Sequence, residues 1–225
     1  MAKLYWQSFG GMLFLLSVMA AALFLPAWTI SYWQAWVFLA VFFVCVTAIT
    51  LYLVKRDPQL LARRVKAGPV AEKEKTQQII QSIAALAFLA IFVVGALDHR
   101  FSWSLVPNYL VVLGDVLVAL GLWIVFRVFR ANSFTSATIE VGADQSVISS
   151  GPYAIVRHPM YTGAFVMLAG VPLALASLWA ELAVIPLVAV IIWRIFDEEQ
   201  FLARGLAGYA DYLTSVKYRL LPGIW

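Results

Sequence analysis

The sequence predicts an all-α, polytopic helical membrane protein, and three observations carry that expectation. Of 225 residues, 63% are hydrophobic and 12% charged, against about 25% charged in an average soluble domain. The apolar residues gather into about six runs close to the roughly 20 residues needed to cross about 30 Å of hydrocarbon. The basic residues collect on alternate connections, the asymmetry that orients membrane helices.

Taken in order, the first run is Phe9–Ala27. It follows a single Lys and has no small-residue cleavage site leading into a polar stretch, so it reads as a retained span. Trp33–Val54 is the second span and holds Cys45, the only cysteine. That excludes an intrachain disulfide and leaves Cys45 as a small hydrophobe. Residues 55–78, with Lys55, Arg56, Arg63, Arg64, Lys66, Lys73 and Lys75, form a basic amphipathic stretch suited to an anionic membrane surface. Ile79–Leu97 and Tyr109–Phe129 are the third and fourth spans. Met160–Leu178 and Ala180–Phe196 are the fifth and sixth, carrying Pro172 and Pro186, which membrane helices tolerate when neighbours satisfy the freed carbonyls. Trp28, Trp33, Trp36, Trp103 and Trp179 stand near span ends as an interfacial belt. Beyond Asp197, the tail sets Leu202, Leu206, Tyr209, Leu213 and Val216 near helical spacing, an amphipathic segment docked on the membrane or on the domain itself.

Two regions follow, a four-span part over residues 1–130 and a part over 131–225 made of the hairpin 160–196 and its tail. If the connection at 55–75 is cytoplasmic, both termini, segment 130–157 and the tail are cytoplasmic too. Arg100 is then the only basic residue outside. The net charge of +4 thus reports topology, and no nucleic-acid partner is implied. The expected setting is an integral protein of a bacterial inner membrane.

The last two spans are joined by almost nothing, so the sequence predicts a tight antiparallel hairpin. Pro159 and Glu199 each lie about 20 residues from Trp179 on opposite arms, about 30 Å from the turn. Arg157, His158 and Tyr161 therefore share a level with Asp197, Glu198 and Glu199. Pro159 suits a helix start, whose free N–H groups welcome an anion. Taken singly, these residues have blander readings: a snorkelling Arg157, a capping His158, an interfacial Tyr161, or acids paired with Arg194 and Arg204. Gathered on one level, they read as a site, because ionisable groups at a membrane boundary are functional by default.

The ordered motifs are Gly151-Pro152-Tyr153, Arg157-His158-Pro159-x-Tyr161-x-Gly163, Glu198-Glu199, Tyr209-x-x-Tyr212 and Arg219-Leu220-Leu221-Pro222-Gly223. Together with Asn132 and Phe134, they resemble the isoprenylcysteine carboxyl methyltransferase family, which is related to membrane phospholipid methyltransferases. The resemblance covers roughly residues 130–225. It implies S-adenosylmethionine as cofactor, in a cytoplasm-facing pocket with no metal. It implies Tyr153, His158, Pro159 and Tyr161 as cofactor-binding residues, Glu198 or Glu199 on polar groups such as the ribose hydroxyls, and Tyr209 and Tyr212 closing the pocket. Arg157 and Arg219 are implied as the catalytic pair that orients cofactor or acceptor. Segment 138–144 carries no basic residue, unlike the family's usual pattern.

The implied reaction transfers a methyl group to a lipophilic or amphipathic small molecule, with membrane lipids as the surroundings. A carboxylate acceptor needs no base; an amine or thiol could use His158 or a Glu. Two alternatives stand beside it: a membrane reductase using NADPH, and a non-enzymatic lipid-binding or transport protein.

Overall fold

A computed structural model describes residues 2–72, 74–139 and 145–225. Lys73 of the basic connection, and residues 140–144 of the segment without basic side chains, lie outside the described residues. Among those described there are eight α-helices, two 3₁₀ turns and no strand. The helices are α1 (Ala2–Ala27), α2 (Trp33–Arg56), α3 (Pro58–Val65), α4 (Lys75–Phe101), α5 (Asn108–Ala131), α6 (Pro159–Ala174), α7 (Trp179–Gly205) and α8 (Tyr209–Ser215). The 3₁₀ turns are Pro69–Ala71 and Gly151–Ala154.

Five helices, α1, α2, α4, α5 and α7, are long and apolar enough to cross a membrane. The sixth expected span is shorter. Helix α6 has 16 residues and stops at Ala174 instead of Leu178. The chain turns there because Ser177 N donates back to Pro172 O at 2.9 Å and Ala176 takes a left-handed φ of 54°.

The tight α6–α7 hairpin is also revised. Helix α6 packs most extensively on α5, and α7 on α4, while α6 and α7 touch each other far less. Glycines decide this. Gly114 and Gly121 on α5 face Gly170 and Gly163 on α6, with the same seven-residue spacing on both helices. A Cβ on Gly121 would stand 2.5 Å from Gly163 O, and one on Gly114 2.2 Å from Ala174 N. Small residues allow such backbone approach between membrane helices, where dispersion rather than water drives packing.

One core, including Met19, Phe38, Phe92, Val118, Leu168 and Leu187, draws on α1, α2, α4, α5, α6 and α7. At the end remote from Pro159, Asp98 is buried and accepts hydrogen bonds from Ser104 and Ser177, tying the end of α4 to the α6–α7 turn.

The basic connection docks on the bundle. Asp57 caps α3 by accepting from Leu60 N at 2.9 Å, and Pro58 occupies the first turn, where a missing N–H is harmless. Leu60 and Leu61 bury themselves against Leu53, Val54 and Phe129. The tail docks as well. Gly208, at φ 80°, breaks the chain between α7 and α8, and Leu206, Tyr209, Tyr212 and Val216 pack with Val147 and Tyr153.

Candidate active site

The start of α6 is fixed from both sides. Pro159 opens the helix, and the returning tail runs beside the residues before it: Arg157 N donates to Tyr218 O and His158 N to Arg219 O, both at 2.9 Å. That pairing brings the tail's Arg219 level with Glu199 on α7.

Glu199 is the hub. It is buried, and its Oε1 accepts from Arg157 Nη1 and from His158 Nε2, each at 3.2 Å. Its Oε2 accepts from Arg219 Nε and Nη2, each at 3.0 Å. A carboxylate only accepts, so His158 carries its proton on Nε2. Arg157 also donates through Nε to Val216 O at 2.6 Å and through Nη2 to Leu213 O at 2.8 Å. Arg219 lies over the rings of Phe196 and Trp225. The two arginines thus latch the tail to α7.

Beside this hub opens a cavity. Tyr153, Arg157, His158, Pro159, Tyr161, Glu198, Tyr209 and Tyr212, eight of the ten sequence-predicted residues, line it together. Glu199 and Arg219 stand behind its wall. Tyr161 donates to Glu198 Oε2 at 2.7 Å and accepts from Arg194 Nε at 3.1 Å, so its hydroxyl is held from both sides. Tyr212 donates to Tyr153 O at 2.8 Å, and Asn132 Nδ2 donates to the Tyr153 hydroxyl at 3.1 Å.

Burial, reinforced by the Glu198 charge, pushes the Tyr153 phenol up to about 12. Burial likewise raises Tyr209 and Tyr212. All three are therefore neutral hydroxyls at physiological pH. The Tyr209 hydroxyl is buried and has no hydrogen-bond partner among the described residues, which is costly for a polar group unless a ligand supplies one.

The roof over the cavity, residues 132–139, is held by side chains from elsewhere. Arg63 donates to Ser133 O, and Arg64 to Ser136 O at 2.8 Å while lying over Phe129. Arg194 Nη2 donates to Ala137 O at 3.1 Å and to Glu72 Oε1 at 2.8 Å, and its Nη1 to Gln77 Oε1 at 2.6 Å. The buried Glu72 also accepts from Ile139 N at 3.2 Å. Gln77 in turn donates to Asp197.

Sequence reasoning did not assign Arg63, Arg64, Glu72, Gln77 or Arg194 to the site. Arg194 did carry a signal, a lone charge inside the apolar run from Ile191 to Phe196. Glu72 carried none, since the partners that tie it to the site, Ile139 and Arg194, lie 67 and 122 residues away.

No curated protein matches the chain. Residues 109–207 match the family model described as phospholipid methyltransferase, spanning α5 to α7 and the site residues from Tyr153 to Glu199. Over that region the chain is similar to this membrane methyltransferase family, which includes the isoprenylcysteine carboxyl methyltransferases.

Proposed function

We propose that this chain, similar over residues 109–207 to the phospholipid methyltransferase family, is an integral membrane methyltransferase that uses S-adenosylmethionine and methylates a lipophilic or amphipathic small molecule. The observation that carries this reading is the cavity at the start of α6. Among the described residues it combines neutral phenols, one carboxylate and a helix start, and Tyr209 presents there a buried hydroxyl with no partner. The residues fit a ligand with a polyol, an aromatic base and an amino-acid end. Glu198 is suited to ribose hydroxyls, the tyrosines to the flat base, and the start of α6 with Tyr209 to the carboxylate end.

Bound there, S-adenosylmethionine supplies a sulfonium methyl group for in-line displacement by the acceptor. The chain's own part is alignment and exclusion of water, and alignment alone can be worth roughly 7–11 kcal/mol at best. Glu198 keeps one oxygen beyond its bond from Tyr161 and accepts from the ligand, whereas Glu199 is committed to Arg157, His158 and Arg219. Arg157 and Arg219 then act as positioning residues that hold the tail as a wall. An amine or thiol acceptor would surrender its proton to Nδ1 of His158, the ring nitrogen not turned to Glu199, or to Glu198. The basic connection favours the cytoplasmic side for this end of the bundle, in keeping with the proposed setting in a bacterial inner membrane.

Calorimetric titration of the detergent-purified chain with S-adenosylhomocysteine and, separately, NADPH tests the reading. Binding of the former alone is expected. Tyr209→Phe should lower that affinity at least about threefold, or roughly 0.7 kcal/mol, while leaving the ligand-free protein as stable or more so. Saturable NADPH binding with no response to S-adenosylhomocysteine would replace it with the reductase reading.

A further inference from the structure

We propose that a groove between α2 and α5, on the bundle's outer surface and separate from the methyltransferase cavity, holds one anionic phospholipid. Its phosphate rests on Arg127 and Arg130, and an acyl chain lies against Cys45, Ala48, Ile49 and Trp123. The groove is almost wholly apolar and shares no lining residue with the cavity.

The helical register of α5 builds the site. At about 100° per residue, Ala119, Trp123, Phe126, Arg127 and Arg130 fall on one face within about 100°. The two arginines are exposed and stand one turn beyond the rings. Helix side chains lean toward the N-terminus, so each guanidinium folds back over an aromatic ring. Arg127 Cζ sits 5.3 Å from the Trp123 ring centroid and Arg130 Cζ 5.9 Å from that of Phe126. The Phe126 ring is itself fixed edge-on by Tyr52 of α2 at 4.9 Å. Both charges are thereby drawn toward the apolar groove and away from the helix end, where a snorkelling side chain would place them.

Among the described residues no carboxylate pairs with either guanidinium; the ion pairs all involve Glu72 or Glu199. The end of α5 favours cations, but a helix dipole supplies only about half a charge. Arg56, exposed at the matching end of α2 on the face of Cys45, Ile49 and Tyr52, adds a third cation at the mouth. Its neighbour Asp57 is engaged with Leu60 N. Three cations at the rim of an apolar, lipid-facing slot complement a phosphate with a hydrocarbon chain attached. A water-soluble anion would leave the slot uncovered. The inference does not rest on the methyltransferase reading.

Native mass spectrometry of the full chain, released from detergent containing either phosphatidylglycerol or phosphatidylcholine, tests it. The wild type should retain one phosphatidylglycerol at least about tenfold more tightly than phosphatidylcholine. Arg127→Gln with Arg130→Gln should abolish that preference. Ala119→Leu keeps both arginines and fills the groove, so it should weaken retention of both lipids; it also stands alone should the double variant fail to fold. Equal retention of the two lipids by the wild type would overturn the proposal. So would an undiminished preference in the double variant, or displacement of phosphatidylglycerol by inorganic phosphate at equal concentration.

Discussion

Glu199→Gln separates two adjacent carboxylates that sequence alone leaves interchangeable. Four N–H donors from Arg157, His158 and Arg219 converge on the two oxygens of Glu199 at 3.0–3.2 Å. The amide keeps one acceptor and turns an NH₂ toward the other side, so about half of these donors lose their partner and all lose the charge. A hydrogen bond to a charged group is worth about 1.5–3 kcal/mol. Arg219, with 27% of its side chain exposed, regains water, but Arg157 at 12% and His158 at 4% do not. The expected loss is about 3 kcal/mol, at the lower end of the 3–5 found when a buried pair is broken. Because Arg157 and Arg219 bind the tail, the loss should appear as early melting and as proteolysis after α7. Glu198→Gln should keep the wild-type melting temperature and weaken S-adenosylhomocysteine at least about tenfold, or roughly 1.4 kcal/mol. Thermal denaturation in detergent and calorimetry on the same two preparations supply both readouts. A Glu199→Gln protein that melts like the wild type, beside a Glu198→Gln protein that binds like it, would refute the assignment.

Gly121→Ala should destabilise by about 1–3 kcal/mol or more, since its Cβ meets Gly163 O at 2.5 Å and Met167 N at 2.6 Å; Gly10→Ala, with nothing nearby, is the melting control. Tyr153 contributes to stability with a defined sign. Its folded pKa is raised from 10.0 to about 12, so its contribution is present below pH 10 and is lost as pH rises toward 12; Tyr153→Phe should flatten that alkaline decline in a melting series. Cysteines at Val70 and Ser102, both exposed, should react with impermeant maleimide from opposite faces of the membrane, the former from the cytoplasm. Labelling from the same face would undo the orientation.

The helical class and the places of the long helices were legible because hydropathy over 20 or so residues is a strong, local signal. Their limits were not: α1 begins at Ala2 rather than Phe9, and α7 runs on to Gly205 rather than Phe196. The level shared by Pro159 and Glu199 was legible from chain length, and His158 does meet Glu199. The partners of α6 were not. Hydropathy treats Gly114 and Gly170 as neutral, yet their missing side chains decide that α6 lies on α5. The end of α6 escaped notice for a similar reason, since Leu175 and Ala176 are apolar whether they extend a helix or turn out of it. In the site, the motifs named the cavity walls but not the roof. Arg63 and Arg64 read as membrane-surface charges because nothing in their neighbourhood points to backbone carbonyls at Ser133 and Ser136.

The roof held by Arg63, Arg64 and Glu72 bears on how such a protein could be cut and recombined. The matched stretch, 109–207, supplies the cavity walls except Tyr209 and Tyr212, and none of these three clasps. Grafted onto a foreign set of leading helices, it would bring the motifs as far as Glu198-Glu199 and leave the roof open to water, and a transplant would have to include residues 57–81 as well as the tail to stay closed. The leading helices are therefore the part in which a lineage could adjust how long the roof stays shut, hence how fast product leaves, without altering any motif residue.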